Sequence, residues 1–180
     1  PEAHQEAVER QDALRHVAGL DSEVRQVAAT YVGSRNEARV QSLSQLVQDN
    51  KFQALDSGLQ SNLLRASYAA NVDAHARGCL ANTAYSENFQ QLSPQEQRQT
   101  FAAFNRSGNN KESLALLQSI ATSQGFGELS SEDRATMLRS IESDAGQPAA
   151  LLGEAESLHI KAGADARTLV ATKREFLANE

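Results

Sequence analysis

Apolar and polar positions along this chain follow one pattern that returns every 37 residues. Phe52-Gln-Ala-Leu55-Asp56, Phe89-Gln-Gln-Leu92-Ser93 and Phe126-Gly-Glu-Leu129-Ser130 share a phrase, and Val17-Ala-Gly-Leu20-Asp21 is a shifted copy 35 residues before the first. Further columns keep the same register. Eleven and twelve residues after the leading position come Leu63-Leu64, Thr100-Phe101 and Met137-Leu138, with Ala28-Ala29 in the first copy. Nine residues before it stand Val8, Leu43, Leu80 and Leu117, and eight after it a long polar side chain: Arg25, Gln60, Gln97 or Arg134. Self-similarity at a fixed period of this length marks a helical repeat array, in which each unit buries its apolar face against the next.

Each copy carries its own helix start. Asp21, Asp56, Ser93 and Ser130 have short side-chain oxygens suited to accept a free N–H of a first helical turn. Ser93-Pro94-Gln95-Glu96 is the fullest version, with proline at the first helical position and Glu96 placed to complete a capping box. These signals predict a first helix, A, at 21–33, 56–69, 93–105 and 130–143. Polar, glycine-bearing loops follow three of these helices, whereas 68–73 has neither Gly nor Pro. A second helix, B, is expected over 39–49, 74–86, 111–123 and 149–161, ending near Asn50, Asn88, Gly125 and Gly163, residues that tolerate a left-handed helix terminus.

No strand-like alternation occurs, and the three prolines, Pro1, Pro94 and Pro148, sit at helix starts. The expected fold class is therefore all-α: a right- or left-handed α-solenoid or helical bundle of about four hairpins with capping helices. The organisation reads as one domain, 1–180, made of a leading helix (1–17), repeats at 18–51, 52–88, 89–125 and 126–163, and a C-terminal cap (164–180).

Composition narrows the function classes. The chain has 180 residues, enough for a substantial core. Its net charge is -6 and only 5% of it is aromatic, which argues against nucleic acid, whose recognition uses a basic footprint and stacking platforms. No run reaches the roughly 20 apolar residues of a membrane span, and an anionic membrane surface would repel the chain. The single cysteine, Cys79, rules out an intramolecular disulfide framework. A start at Pro1 without Met suggests a processed or excised segment.

Few residue sets carry a chemical signal. Glu156-Ser-Leu-His159 has the E-x-x-H spacing of a di-iron ligand pair, but the chain has no second copy of it. His75 and Cys79 lie four residues apart on one helix face; in register, His75 shares a column with Ala38 and Glu112, which reads as surface, and Cys79 with Ser42 and Leu116. No catalytic, metal or cofactor set is expected. The column of Gln60, Gln97 and Arg134 reads first as a set of bonds to neighbouring turns, and second as a ladder on a binding face. Gln26, Arg65, Arg98 and Arg139 point away from the apolar stripe of the A helices. In hairpin solenoids one helix of each pair lines the partner-binding surface, so these four are the candidate binding residues.

The phrase F-x-x-L-[DS]-x-x-x-[QR] followed by paired apolar residues, as in Phe89-Gln-Gln-Leu92-Ser93 to Gln97 and Thr100-Phe101, resembles degenerate helical-hairpin repeats of large bacterial effector and toxin-like proteins. The resemblance spans residues 17–163. It implies a scaffold or adaptor role in a bacterial cytoplasm or a secreted effector segment. The expected function is a non-enzymatic protein-interaction or scaffold module with a protein or peptide partner. An all-α effector or enzyme with a site at the loops or the C-terminal cap, around Glu154, Glu156 and His159, is one alternative, and a structural spacer is another.

Overall fold

A computed structural model describes residues 2–70 and 73–159. Every regular element among the described residues is a helix. The chain divides into two compact units, Pro1–Val72 and Asp73–Glu180.

The first unit holds α1 (Glu2–Ala18), α2 (Ser22–Gly33), α3 (Glu37–Gln48), α4 (Asn50–Gln53) and α5 (Ser57–Ala69). The N-caps form as their chemistry dictates, with Asp56 Oδ1 accepting the Leu59 N–H at 2.8 Å. Asp21 sits at the N-cap of α2 but makes no side-chain bond there. α1 packs on α3, and α2 packs on α5. The core between them is built from Val24, Ala28, Tyr31, Val40, Leu43, Phe52, Leu59, Leu63 and Leu64, all fully buried or nearly so. Val8 departs from its column: Leu43, Leu80 and Leu117 are buried, whereas Val8 is 39% exposed.

The second unit holds α6 (Ala74–Ala84), α7 (Glu87–Gln90), α8 (Pro94–Ser107), α9 (Lys111–Ala121), α10 (Gln124–Glu128), α11 (Ser131–Asp144) and α12 (Pro148–Ser157). Here like packs on like: α8 on α11, α6 on α9, α9 on α12, and α7 on α10. The capping box at α8 is complete, Glu96 N–H to Ser93 Oγ at 3.2 Å and Ser93 N–H to Glu96 Oε1 at 3.0 Å. At the other end of α8 the chain turns at Gly108 with φ 60° and ψ -121°, a conformation that any Cβ would strain.

The predicted A helices start and end within about two residues of α2, α5, α8 and α11, the ordinary uncertainty of helix ends. The predicted endings of the B helices are different. Asn50, Asn88 and Gly125 are not left-handed termini; they lie inside α4, α7 and α10. The chain leaves each B helix through Asp49, Ser86 or Ser123, each in extended backbone with ψ between 125° and 145°. Such residues are N-caps of the next short helix, so the phenylalanine of each phrase rides on a helical turn of its own. Phe52, Phe89 and Phe126 are all buried to within 1%. Gly163, the C-terminal cap (164–180) and the turn at 71–72 lie outside the described residues.

The Gln60 column forms bonds within each copy. Gln60 Nε2 donates to the Phe52 carbonyl at 2.9 Å, and Gln97 Nε2 donates to the Phe89 carbonyl at 3.3 Å. Arg134 does the same work on its own turn, donating through Nη1 to the carbonyls of Gly127 and Leu129. Gln60 and Gln97 are 6% and 3% exposed, so this column is no partner-facing ladder. Arg25, the first copy's member, is exposed and makes no such bond.

Candidate functional site

Gln26 and Arg65 meet in the first unit. They stand on α2 and α5, which pack side by side, and with Val27, Thr30, Tyr31 and Tyr68 they line an open cavity of about 280 Å³. Its aromatic wall is fixed by its neighbours. The buried Tyr31 hydroxyl donates to the Leu64 carbonyl, and the Tyr31 and Tyr68 rings meet edge to face, 5.1 Å between centroids and 81° apart. The Arg39 guanidinium of α3 lies over the Tyr68 ring, 3.9 Å from its centroid, a cation–π contact that holds the ring in place. Arg39 Nε is shut away from solvent and donates to nothing.

At the rim, Arg65 Nη2 lies 3.7 Å from Glu23 Oε1, with both side chains more than half exposed. An ion pair this long and this wet contributes little to stability. It leaves the Arg65 guanidinium exchangeable.

Arg98 on α8 and Arg139 on α11 are exposed on helices that pack together. Arg139 Nη2 donates to Thr136 Oγ1 on its own helix at 3.2 Å. Of the four predicted binding residues, Gln26 and Arg65 therefore share a cavity in one unit, and Arg98 and Arg139 stand on neighbouring helices of the other.

His75 is exposed, and its Nε2 lies 3.8 Å from Cys79 Sγ. Burial pushes the Cys79 thiol up from its ordinary value and the charge of Asp73 adds to it, the opposite of an activated nucleophile. Glu156 and His159 do not share a helix face. α12 stops at Ser157, and His159 follows it with a positive φ of 56°. Among the described residues no group of three His, Cys, Asp or Glu is arranged to hold a metal ion, and no helix is long and apolar enough to cross a membrane.

Among the described residues Glu154 is the one strongly perturbed acid. Burial, then a hydrogen bond and charge from Asp144, push its carboxyl up to about 8. Its Oε2 is closed off from solvent and accepts nothing. With a carboxyl near 8, Glu154 on α12 is held toward its neutral form beside Asp144 at the end of α11.

Tyr31, Tyr68 and Arg39 were not among the predicted binding residues. The signal for Tyr31 lies in its column, fourteen residues after the leading position, where the later copies carry the small residues Ala66, Ala103 and Ser140. Only the first copy therefore brings a ring to this position, and that ring lies against the cavity.

Compared with known protein families, with curated proteins and with solved structures, the chain matches none of them.

Proposed function

We propose that the chain is a non-enzymatic protein-interaction module built as a short α-solenoid of helical hairpins. The observation that carries this reading is a division of labour between individual side chains. Phe52, Phe89, Phe126, Gln60 and Gln97 are buried in packing and turn-locking, whereas Gln26, Arg65, Arg98 and Arg139 on the A helices remain exposed. The packing of α8 on α11 and of α6 on α9 on α12 supports the stacked arrangement, since repeat arrays place equivalent helices beside one another. A protein or peptide partner is then met by the exposed side chains of the A helices, within one unit or the other.

The test is affinity capture with the purified chain and with a variant carrying Arg65→Ala, Arg98→Ala and Arg139→Ala. The expected result is one saturable partner whose binding falls in the variant while the melting temperature is unchanged. Equal binding by both proteins removes the A-helix assignment.

A second reading, an all-α enzyme or effector with a site near the end of the described chain, is favoured by one observation. The Glu154 carboxyl near 8 has the kind of shift that general acids show. Glu156 and His159, its sequence neighbours, are exposed and bring no hydrogen-bonded partner to it. A hydrolytic activity abolished by Glu154→Gln would move the assignment to this site.

A further inference from the structure

Resting on the interaction-module reading, we infer that the α2–α5 cavity seats one carboxylate side chain of an acidic peptide segment, held by Arg65 and packed against Tyr68. Size sets the first limit. At about 280 Å³ the cavity falls just below the usual range of small-molecule sites, roughly 300–1,000 Å³. It suits one inserted side chain better than a cofactor.

The lining sets the second limit. The Tyr31 hydroxyl hydrogen is committed to the Leu64 carbonyl and its ring is buried, so Tyr31 backs the wall from behind, and the half-buried Tyr68 ring in front of it offers the surface for the methylenes of an entering side chain. At the rim Arg65 provides only donors, in a fork that matches a carboxylate, and Gln26 and Thr30 stand beside it. The Glu23 carboxylate holds Arg65 only by a loose, exposed contact of 3.7 Å, and an incoming carboxylate replaces it. Arg39, stacked on the far partner of the site, Tyr68, adds a second positive charge and disfavours a cationic ligand.

Phosphopeptide recognition uses clusters of arginines, whereas a single exchangeable guanidinium at the rim matches a monoanion. The chain's net charge of -6 opposes an acidic partner at a distance. Salt screens that field beyond about 8 Å, so the contact at Arg65 decides binding.

The experiment titrates the full chain, labelled at its tyrosine rings, with a synthetic peptide of four glutamates around one phenylalanine. Its lysine and phosphoserine counterparts serve as comparisons. NMR follows Tyr31 and Tyr68, with Tyr85 as the reference outside the cavity. The expected result is movement of Tyr31 and Tyr68 and not of Tyr85. No response to the lysine peptide is expected, and Arg65→Glu or Gln26→Glu should weaken affinity at least about tenfold, by charge repulsion at the rim.

Unmoved Tyr31 and Tyr68 rings, or unchanged affinity in Arg65→Glu, overturn the inference. Tighter binding of the phosphoserine peptide with the same ring shifts overturns the carboxylate assignment. Binding that moves only the second unit, or a partner captured through Arg98 and Arg139, overturns this seat while leaving the interaction-module reading standing.

Discussion

Arg134 of α11 donates through Nε to Oε2 of Glu96 on α8 at 2.6 Å, while Oε1 of the same carboxylate accepts the Ser93 N–H that opens α8. The side chains are only 17% and 14% exposed. A second pair, Arg106 to Glu142 at 3.8 Å, joins the same two helices near their C-terminal ends, so α8 and α11 run parallel and are tied at both ends. The inner pair is the stronger. Arg134→Ala should cost about 1–3 kcal/mol, the scale of losing charged hydrogen bonds in a sheltered site. A double-mutant cycle with Glu96→Ala in urea denaturation checks it, and additive single effects would show that the two residues do not act on each other.

The same pair shapes acid stability. Burial works to raise the Glu96 carboxyl, but the bonds from Arg134 and Ser93 and the Arg134 charge hold it below its ordinary value. A depressed carboxyl contributes stability above the unfolded value, about 4.3, and loses it as pH falls through the folded one. Wild type and Glu96→Gln should therefore differ most in melting temperature near pH 7 and converge toward pH 2–3, a window set by that direction of shift.

Glu154 runs the other way. Its carboxyl, near 8 in the fold, holds a proton that the unfolded chain releases at about 4.3. Stability from this residue is present below the unfolded value and is lost as pH rises from there to 8. Glu154→Gln, always neutral, should melt above wild type at pH 8.5, with the gap closing by pH 5. A gap of equal size at both pH values, read by calorimetry, would show that Glu154 is charged in the fold.

Gln60→Ala and Gln97→Ala each remove a buried donor to a phenylalanine carbonyl and should cost about 1–2 kcal/mol. Arg25 in the first copy is exposed and makes no equivalent bond among the described residues, so Arg25→Ala should stay within about 0.5 kcal/mol. Equal costs in all three would mean that the turn-locking bond is not what distinguishes these copies.

The leucines of the repeat phrase offer a packing test. Leu64 is fully buried and Leu92 is 6% exposed, so Leu64→Ala and Leu92→Ala should each cost about 2–5 kcal/mol. Losses under about 0.5 kcal/mol at both would place these side chains outside the core.

Much of this was legible in the order of residues, because caps and apolar stripes act over one or two turns. Ser93, Pro94 and Glu96 specify the start of α8 unaided, and the spacing of Leu63, Leu64 and Phe52 specifies a buried face. The short helices α4, α7 and α10 were missed because four or five residues are too few to show a period, and their N-cap residues, Asp49, Ser86 and Ser123, read equally well as the tail of the preceding helix. Of the candidate site, Gln26 and Arg65 were legible from their position opposite the apolar stripe. Tyr68 and Arg39 were not, since a ring stacked under a guanidinium from a different helix leaves no mark in local spacing. The exposure of Val8 was hidden as well, because its column takes its pattern from Leu43, Leu80 and Leu117, which are buried.

The tie between Arg134 and Glu96 also gives the copies an order. The column of Glu96 is occupied by Leu59 in the copy before it and by Asp133 in the copy after. A block bearing Arg134 thus finds its hydrogen-bonded, half-sheltered acceptor only behind a block bearing a carboxylate that also caps its own helix. Moved behind the copy that carries Leu59, the same arginine would meet a hydrocarbon. The units look interchangeable from their shared phrase, yet this one side chain works as an address, and it restricts which neighbours a duplicated or transplanted block can accept.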